Sequence, residues 1–367
     1  MFRLILLSAF LQLSLPCFAV IPVDMKMAGF IDNTPSGPVN TPTTIKSLDQ
    51  FKKIFMGPNT KASLKSRAYL QVKQYFLNGG EVLKFSRVLG KDYVGEESLK
   101  TGIYAFSQKS NVRTLVIPGL NTLPQALVDF VQQQKMMLIL DAPSLSFKKL
   151  LGWRDLNLDV DEFYRRHIAV YYNRILVDGV YIGVSGSMAG IFAKTSVWRA
   201  PANVRIVGAS KVEVEINHDQ QMELTTPSHG LSINLIRNFG ELGILVWGAR
   251  TLDGTSQEWR YISSSRMQIQ IEESILSTLR SFRFEANDSN TWITAKASIA
   301  NYLFSLWRQG ALPGSLPEEA FFVDVGLGTT MTPEDVLNKS MIVQVRVALS
   351  SPNEFIVMMF EQKVGER

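Results

Sequence analysis

The chain has 367 residues, of which 46% are hydrophobic and 10% aromatic, a composition typical of a folded protein with a substantial core. At about 150 residues per domain, this length suggests two or three domains. The formal net charge is +5, and lysines and arginines are spread along the chain without a basic block. This argues against nucleic-acid binding, which usually needs a clustered positive face or a known module.

The first nineteen residues have the layout of a secretory signal peptide. Arg3 supplies a positive charge, residues 4–15 form an apolar run, and Cys17 and Ala19 are the small residues that precede a cleavage site after Ala19. The run is too short for a membrane span, which needs about 20 apolar residues. We therefore predict a signal peptide over residues 1–19.

Three other interpretations of this segment remain open. Cys17 could carry a lipid, translation could start at Met25 or Met27, or the apolar run could be an arm that packs on a neighbouring subunit. Cys17 is the only cysteine of the chain. A mature protein without it would have no disulfide, no thiolate metal site and no cysteine nucleophile.

The middle of the chain reads as an α/β pattern. Residues 20–43 are rich in Pro, Gly, Thr and Asn and predict an extended arm or loop. Predicted helices cover residues 47–56, 62–78, 123–134 and 188–195, and predicted strands cover residues 81–90, 111–119, 135–143 and 168–177. Because buried strands alternate with helices, we predict a mainly parallel sheet over residues 44–210.

The pattern changes near residue 210. KVEVEINHDQQMEL (211–224) alternates in hydropathy and predicts exposed antiparallel strands. Further predicted elements are a strand at 243–251, helices at 266–282 and 291–309, a helix capped by Thr332, and strands at 341–350 and 354–362. Residues 211–367 therefore predict a second, α+β domain.

Several linked motifs in the second half carry a family resemblance. They are LSINLIRNFGELGILVWGARTL (231–252), EWRYISSSRMQIQIEESI (258–275), FEANDSNTW (284–292), LWRQGALPGSLPEEAFFV (306–323) and TTMTPEDVLNKSMIVQVRVALSSPNEFIV (329–357). In this order and spacing they resemble the contractile tail sheath family of phages and related injection systems. Shorter stretches such as PSGPV, SLDQF, LILDAP and VWRAPAN extend the resemblance over about residues 28–362.

The resemblance implies a fold and a mode of assembly. It implies a subtilisin-like α/β domain without protease activity over residues 44–210 and a C-terminal sheath core domain over residues 211–367 that forms the inner wall of a tube. Family members exchange terminal strands with neighbouring subunits, and here the strand from Glu354 to Glu361 would be donated. The N-terminal arm expected before Gly29 is largely replaced by the signal-like segment.

The sequence offers little support for an enzyme. GVSGS (183–187) lacks the second glycine of a G-x-S-x-G nucleophile elbow. His167 is interpreted as a partly exposed strand-edge residue kept neutral by its arginine neighbours, and Asp141 as a carboxylate that bonds turn amides. His218 and His229 lie in segments whose composition is typical of turns. Neither has the spacing to another histidine that a zinc site would need. We expect no catalytic, cofactor-binding or metal-binding residues.

Two further features are given structural rather than binding roles. The Gly/Pro-rich loop around GALPGSLPEE (310–319) predicts a rigid turn that sets subunit contacts, not a binding loop. Trp247, Trp292 and Trp307 are predicted core residues rather than ligand-stacking ones.

Two functions follow from these observations. The first is a non-enzymatic, sheath-like subunit that is exported after cleavage near Ala19 and built as a static ring into a periplasmic or envelope secretion complex. The second is a conventional contractile sheath subunit, assembled in the cytoplasm around an inner tube. In both cases the expected partners are copies of the chain and tube or envelope proteins, with no nucleic acid, cofactor or small-molecule substrate.

Overall fold

The computed structural model describes residues 18–58, 63–107 and 110–365. Most of the predicted signal peptide, residues 1–17, lies outside them. The α-helices are α1 (Leu48–Phe55), α2 (Arg67–Leu77), α3 (Gln125–Gln133), α4 (Phe147–Asn157), α5 (Glu162–Arg165), α6 (Ser185–Lys194), α7 (His218–Thr225), α8 (Ile262–Leu279), α9 (Ser289–Arg308) and α10 (Pro333–Leu337). No helix among the described residues is long and apolar enough to span a bilayer.

The strands form one large sheet, one small sheet and a hairpin. They are β1 (Ala28–Asn33), β2 (Thr43–Ile45), β3 (Leu83–Val88), β4 (Thr114–Val116), β5 (Met137–Asp141), β6 (Ile168–Tyr172), β7 (Ile175–Val177), β8 (Val180–Ile182), β9 (Asn234–Asn238), β10 (Ile244–Trp247), β11 (Phe321–Val325), β12 (Ser340–Ala348) and β13 (Phe355–Lys363). The predicted α/β and α+β fold class is confirmed.

The large sheet has eight strands in the order β10-β9-β6-β5-β4-β1-β3-β2. Its six central strands are parallel, and β2 and β10 add antiparallel edges. Side chains alternate between two buried layers, so Phe30 packs with α2 and α6 while its neighbour Ile31 packs with α3. Since both faces are covered by helices, the central strands read as continuous apolar runs, as predicted.

Strand β1 corrects the interpretation of residues 20–43 as an arm or loop. Ala28–Asn33 lies in the middle of the sheet, paired with β3 on one side and β4 on the other. Five of its six residues are buried. A loop-like stretch therefore contains one of the most buried strands of the fold.

The predicted antiparallel strands at 211–224 are wrong: the first residues form an extended connection and the rest a helix. Residues 211–216 make one isolated antiparallel bridge, between Val212 and Ile175. The chain then turns into helix α7, because Asn217 caps it in a capping box with Gln220. The alternating hydropathy of the first residues belongs to an extended connection, not to a sheet.

The large sheet continues past the predicted domain boundary near residue 210, because β9 and β10 form its edge. The buried core also continues from this sheet through α8 and α9 to the small sheet β11-β12-β13. The division into domains at 44–210 and 211–367 stays a prediction. What the structure gives is a layered α/β body joined by packed helices to a three-stranded antiparallel sheet.

Candidate functional site

Asp141 lies at the carboxyl end of β5, where α/β folds often place a functional acid. Its Oδ1 accepts hydrogen bonds from the backbone N–H groups of Val184 and Ser185, at 2.7 and 2.8 Å, and its Oδ2 accepts one from the Ser185 hydroxyl at 2.5 Å. Burial raises the pKa of Asp141 to about 6, although these hydrogen bonds oppose the shift. The carboxylate thus anchors the start of α6 rather than the Ala142-Pro143 turn expected from the sequence.

His167 lies far from Asp141, at the opposite end of the sheet. Asp141 is paired with Tyr171, and His167 precedes Tyr171 by four residues, which amounts to roughly 13 Å along a strand. His167 is only 4% exposed, so its interpretation as a partly exposed residue is wrong. Burial, assisted by Arg166, lowers its pKa to about 4, and its Nδ1 lies 3.1 Å from the Met136 carbonyl oxygen. A triad uniting Asp141, Ser185 and His167 does not exist.

The other two histidines lie elsewhere. His218 begins α7, and the Nε2 of His229 lies 2.8 Å from a guanidinium nitrogen of Arg154. In the described ranges, no group of three or more His, Cys, Asp or Glu side chains could hold a metal ion. His218 and His229 thus make local contacts at α7 and Arg154.

Among the strands of the described residues, the small sheet has a free edge. Strand β13 pairs with β12 along its whole length and lies at the border of the three strands. A groove of about 590 Å³ runs beside it and is lined on its far side by polar residues such as Lys135, Glu258 and Glu272. Val357 and Met359 of β13 are more than half exposed. An unpaired edge flanked by a groove is the geometry that accepts or donates a strand.

In the single chain, the predicted donated strand stays on its own subunit. The segment from Glu354 to Glu361 falls largely within β13, whose Met359 lies opposite Gln344 of the same chain. Exchange with a neighbouring subunit remains a prediction.

Residues 18–23, which span the predicted cleavage site after Ala19, pack on the C-terminal helices. The Phe18 ring lies 4.2 Å from that of Phe282. The Val23 N–H donates to the Ser274 hydroxyl at 2.9 Å, and the Gln270 side chain donates to the Val23 carbonyl at 3.1 Å. Cleavage after Ala19 would remove the Phe18 contact and leave the two hydrogen bonds.

Buried ionic contacts join α8 to the large sheet, and the sequence did not reveal them. Arg113, just before β4, donates to Glu273 at 2.7 Å, and Lys135, before β5, donates to Glu272 at 2.7 Å. The wholly buried Arg266 donates to the Phe192 carbonyl at the end of α6, at 2.6 Å, and burial lowers its pKa to about 10. Only the tertiary fold brings these partners together, because each contact joins residues that are far apart in the sequence.

The Gly/Pro-rich loop is held by internal hydrogen bonds. Glu319 accepts from the Ser315 N–H at 2.7 Å, and the Trp307 indole donates to the Gly314 carbonyl at 2.9 Å. Trp307 and Trp292 are half-buried at the border of the main core, and Trp247 packs beside Phe239. These contacts fit a rigid turn, while its role in subunit contacts stays a prediction. The three tryptophans are partly buried at the border of the core rather than inside it.

Comparisons with known proteins point to one class of assembly. No protein-family model and no curated protein sequence matches the chain. One similar solved structure is the PVC sheath complex of an extracellular contractile injection system in the contracted state. Its sequence is 28% identical to this chain. It has a TM-score of 0.75, with 100% of this chain and 99% of that chain covered.

Two further structures agree. The contracted helical sheath of the anti-feeding prophage is 29% identical with a TM-score of 0.73, covering 95% of this chain and 96% of that chain. The sheath tail protein of Listeria innocua is 13% identical with a TM-score of 0.64 over 93% of this chain and 95% of that chain, and it supports the fold alone. The sequence motifs and these structures agree: over nearly its whole length the chain has the fold of contractile tail sheath proteins and is similar to them.

Proposed function

We propose that this chain is the sheath subunit of a contractile injection system, which assembles with copies of itself into a helical tube around an inner tube. The observation that carries the proposal is the likeness to two contracted sheaths, at 28% and 29% identity over nearly the whole chain. Such a subunit acts by packing against neighbouring subunits and by pairing strands with them. The separation of Asp141 from His167 is consistent with this, because it leaves no hydrolytic constellation there.

The subunits would be linked through β13. This strand follows a turn at residues 350–353 and lies at the edge of its sheet, so it can leave β12 of its own chain and pair with β12 of a neighbour. The same nine residue pairs form in either arrangement. Exchange therefore costs little in hydrogen bonds and links subunits through their backbones.

Sedimentation and electron microscopy of the full-length chain test the proposal. We expect the purified chain, alone or expressed with its inner-tube protein, to sediment as particles that appear as hollow helical tubes or stacked rings. A chain that remains monomeric in both preparations, over the whole accessible concentration range, would contradict it.

A second candidate function is favoured by residues 1–19. We infer that a working signal peptide would send the subunit to the periplasm, where it would form a static ring in an envelope complex. The Phe18 contact with Phe282 favours an uncut chain, because cleavage after Ala19 would expose the Phe282 ring.

The mass of the native N-terminus, measured together with cell fractionation, separates the two functions. A chain that starts at Val20 in the periplasm or envelope would support export and exclude the cytoplasmic sheath. A chain that starts at Met1, Met25 or Met27 in the cytoplasm would exclude export.

A further inference from the structure

A cavity of about 340 Å³ opens at the carboxyl edge of the large sheet. It lies beside the loops that follow β4 and β5, and β4 borders β1. The strand order reverses between β1 and β4, since β3 lies on one side of β1 while β4, β5 and β6 follow on the other. In open α/β sheets, ligands bind in the crevice at this reversal, and the volume is within the range of about 300–1,000 Å³ for ligand sites.

Two arginines line the cavity, and each is held in place by a carboxylate. Arg67 donates from Nε and Nη2 to the two oxygens of Asp32, at 3.0 and 2.5 Å, and from Nη2 to the Tyr93 hydroxyl at 2.8 Å. Arg174 donates from Nε and Nη2 to Glu213, at 2.7 and 2.5 Å. Both guanidinium groups are thereby fixed before any ligand arrives.

Each arginine has one guanidinium nitrogen, Nη1, whose N–H groups are not used by the contacts to Asp32, Tyr93 or Glu213. Within the described ranges, no protein group accepts a hydrogen bond from Nη1 of Arg67 or of Arg174. The two side chains are 42% and 38% exposed, so solvent and ligands can reach them. Pre-oriented guanidinium N–H groups are the donors that proteins use most for carboxylates and other oxyanions.

The other lining residues of the cavity indicate the charge and the polarity of the ligand that it can bind. Leu120, Val180 and Ile182 give part of the cavity an apolar lining. Asp32 and Glu213 already balance the two arginines, and Asp141 adds negative charge when it is ionised. A multiply charged anion is therefore disfavoured relative to a single carboxylate that carries an apolar body.

We propose that this cavity binds a carboxylate with an apolar body between Arg67 and Arg174. The carboxylate could belong to a small molecule or to a side chain or chain terminus of another subunit, and both present the same group. The site is separate from β13 and its groove. It goes beyond the assembly role, and binding by the unassembled chain tests it separately.

Calorimetric titration of the unassembled chain with benzoate is the first test. We expect saturable binding with a Kd of about 1 mM or lower, and at least tenfold weaker binding of uncharged benzamide. Arg174→Gln should weaken benzoate binding at least tenfold, and Arg174→Lys, which keeps the charge without the planar fork, several-fold. Arg199→Gln is the matched control, because Arg199 is exposed and lies outside the cavity lining.

The unfolding temperature of each variant shows whether it has folded. If Arg174→Gln does not fold, Arg174→Lys replaces it in the binding test. The proposal is overturned if benzoate does not bind the folded wild-type chain, if benzamide binds as well, or if every folded Arg174 variant binds like Arg199→Gln. Repeating the titration on assembled particles identifies the source. Unchanged binding points to a small molecule, and binding lost on assembly points to a carboxylate of a neighbouring subunit.

Discussion

At the scale of single residues, the fold depends on charges that have been taken out of water. The side chains of Arg113 and Glu273 are 5% and 12% exposed, and their 2.7 Å contact ties β4 to α8. Removing one member of such a pair leaves the other as an uncompensated buried charge. The stability of the contact between the large sheet and the C-terminal helices is therefore sensitive to either residue.

Arg113→Leu should lower the free energy of unfolding by about 2–3 kcal/mol, because Glu273 would lose its 2.7 Å partner and keep only Lys135, whose Nζ lies 4.0 Å away. The double variant Arg113→Leu/Glu273→Leu should recover most of this loss. Urea denaturation measures both. Lys73→Leu, which breaks the more exposed pair with Asp178, should cost no more than about 1 kcal/mol. Equal losses for the single and double variants would show that the charge pairing is unimportant.

Asp141 predicts a pH dependence. Burial raises its pKa to about 6, so between pH 4 and 6 the folded chain holds a proton that the unfolded chain has released. Its contribution to stability is complete below pH 4 and is lost as the pH rises through 6. His167, with its pKa lowered to about 4, acts in the opposite direction.

Comparison with Asp141→Asn isolates the first effect, since the amide oxygen still accepts from the amides of Val184 and Ser185. The stability of the wild type relative to this variant should fall by up to about 3 kcal/mol between pH 4 and 7, at about 1.4 kcal/mol per unit of pKa shift. Denaturation at a series of pH values measures this difference. A difference that stays constant with pH, or grows, would contradict the raised pKa of Asp141.

At the scale of elements, local pattern predicted those whose stabilising features are close in sequence. Helix α1 was recognised from its apolar face, and α10 from Thr332 and the proline after it, because caps and periodicity are local signals. Strand β1 was missed because its partners β3 and β4 come later in the chain, with Ala28 opposite Leu83 on one side and Thr114 on the other. Its flanking prolines and glycines read as a loop.

The candidate site divides in the same way. The lack of a nucleophile elbow could be read from GVSGS alone. The burial of His167, the anchoring of α6 by Asp141 and the pairing of Arg67 with Asp32 could not, because each joins residues from separate elements. Hydropathy periodicity in the sequence indicates helices and strands. These contacts depend instead on the order of the strands in the sheet, which periodicity does not indicate.

The segment after residue 17 gives a prediction at this scale. Phe18→Ala should lower the free energy of unfolding by about 1–2 kcal/mol, because the Phe18 ring packs on Phe282 and is partly buried. Phe284→Ala is the control, since Phe284 is 75% exposed and should change stability by less than about 0.5 kcal/mol. Equal effects of both variants in urea denaturation would mean that the N-terminal segment does not dock.

At the scale of the whole molecule, the fold combines a covered parallel sheet with a small antiparallel sheet whose last strand lies at a free edge. The first gives a rigid body through buried packing and ionic contacts. The second gives a strand whose pairing can be satisfied within the chain or between chains. Together they suit a subunit that keeps its shape while its links to neighbours carry the assembly.

Strand exchange through β13 is tested most directly by mixing two single-cysteine variants in a Cys17→Ser background. Gln344→Cys and Met359→Cys place the thiols on opposed residues of β12 and β13, about 5 Å apart between Cα atoms, a separation that a disulfide can bridge. If the account is right, oxidation of mixed assemblies yields disulfide-linked dimers of the two variants, and oxidation of mixed monomers does not. Assemblies without these dimers, or a mixture that never assembles, would contradict it.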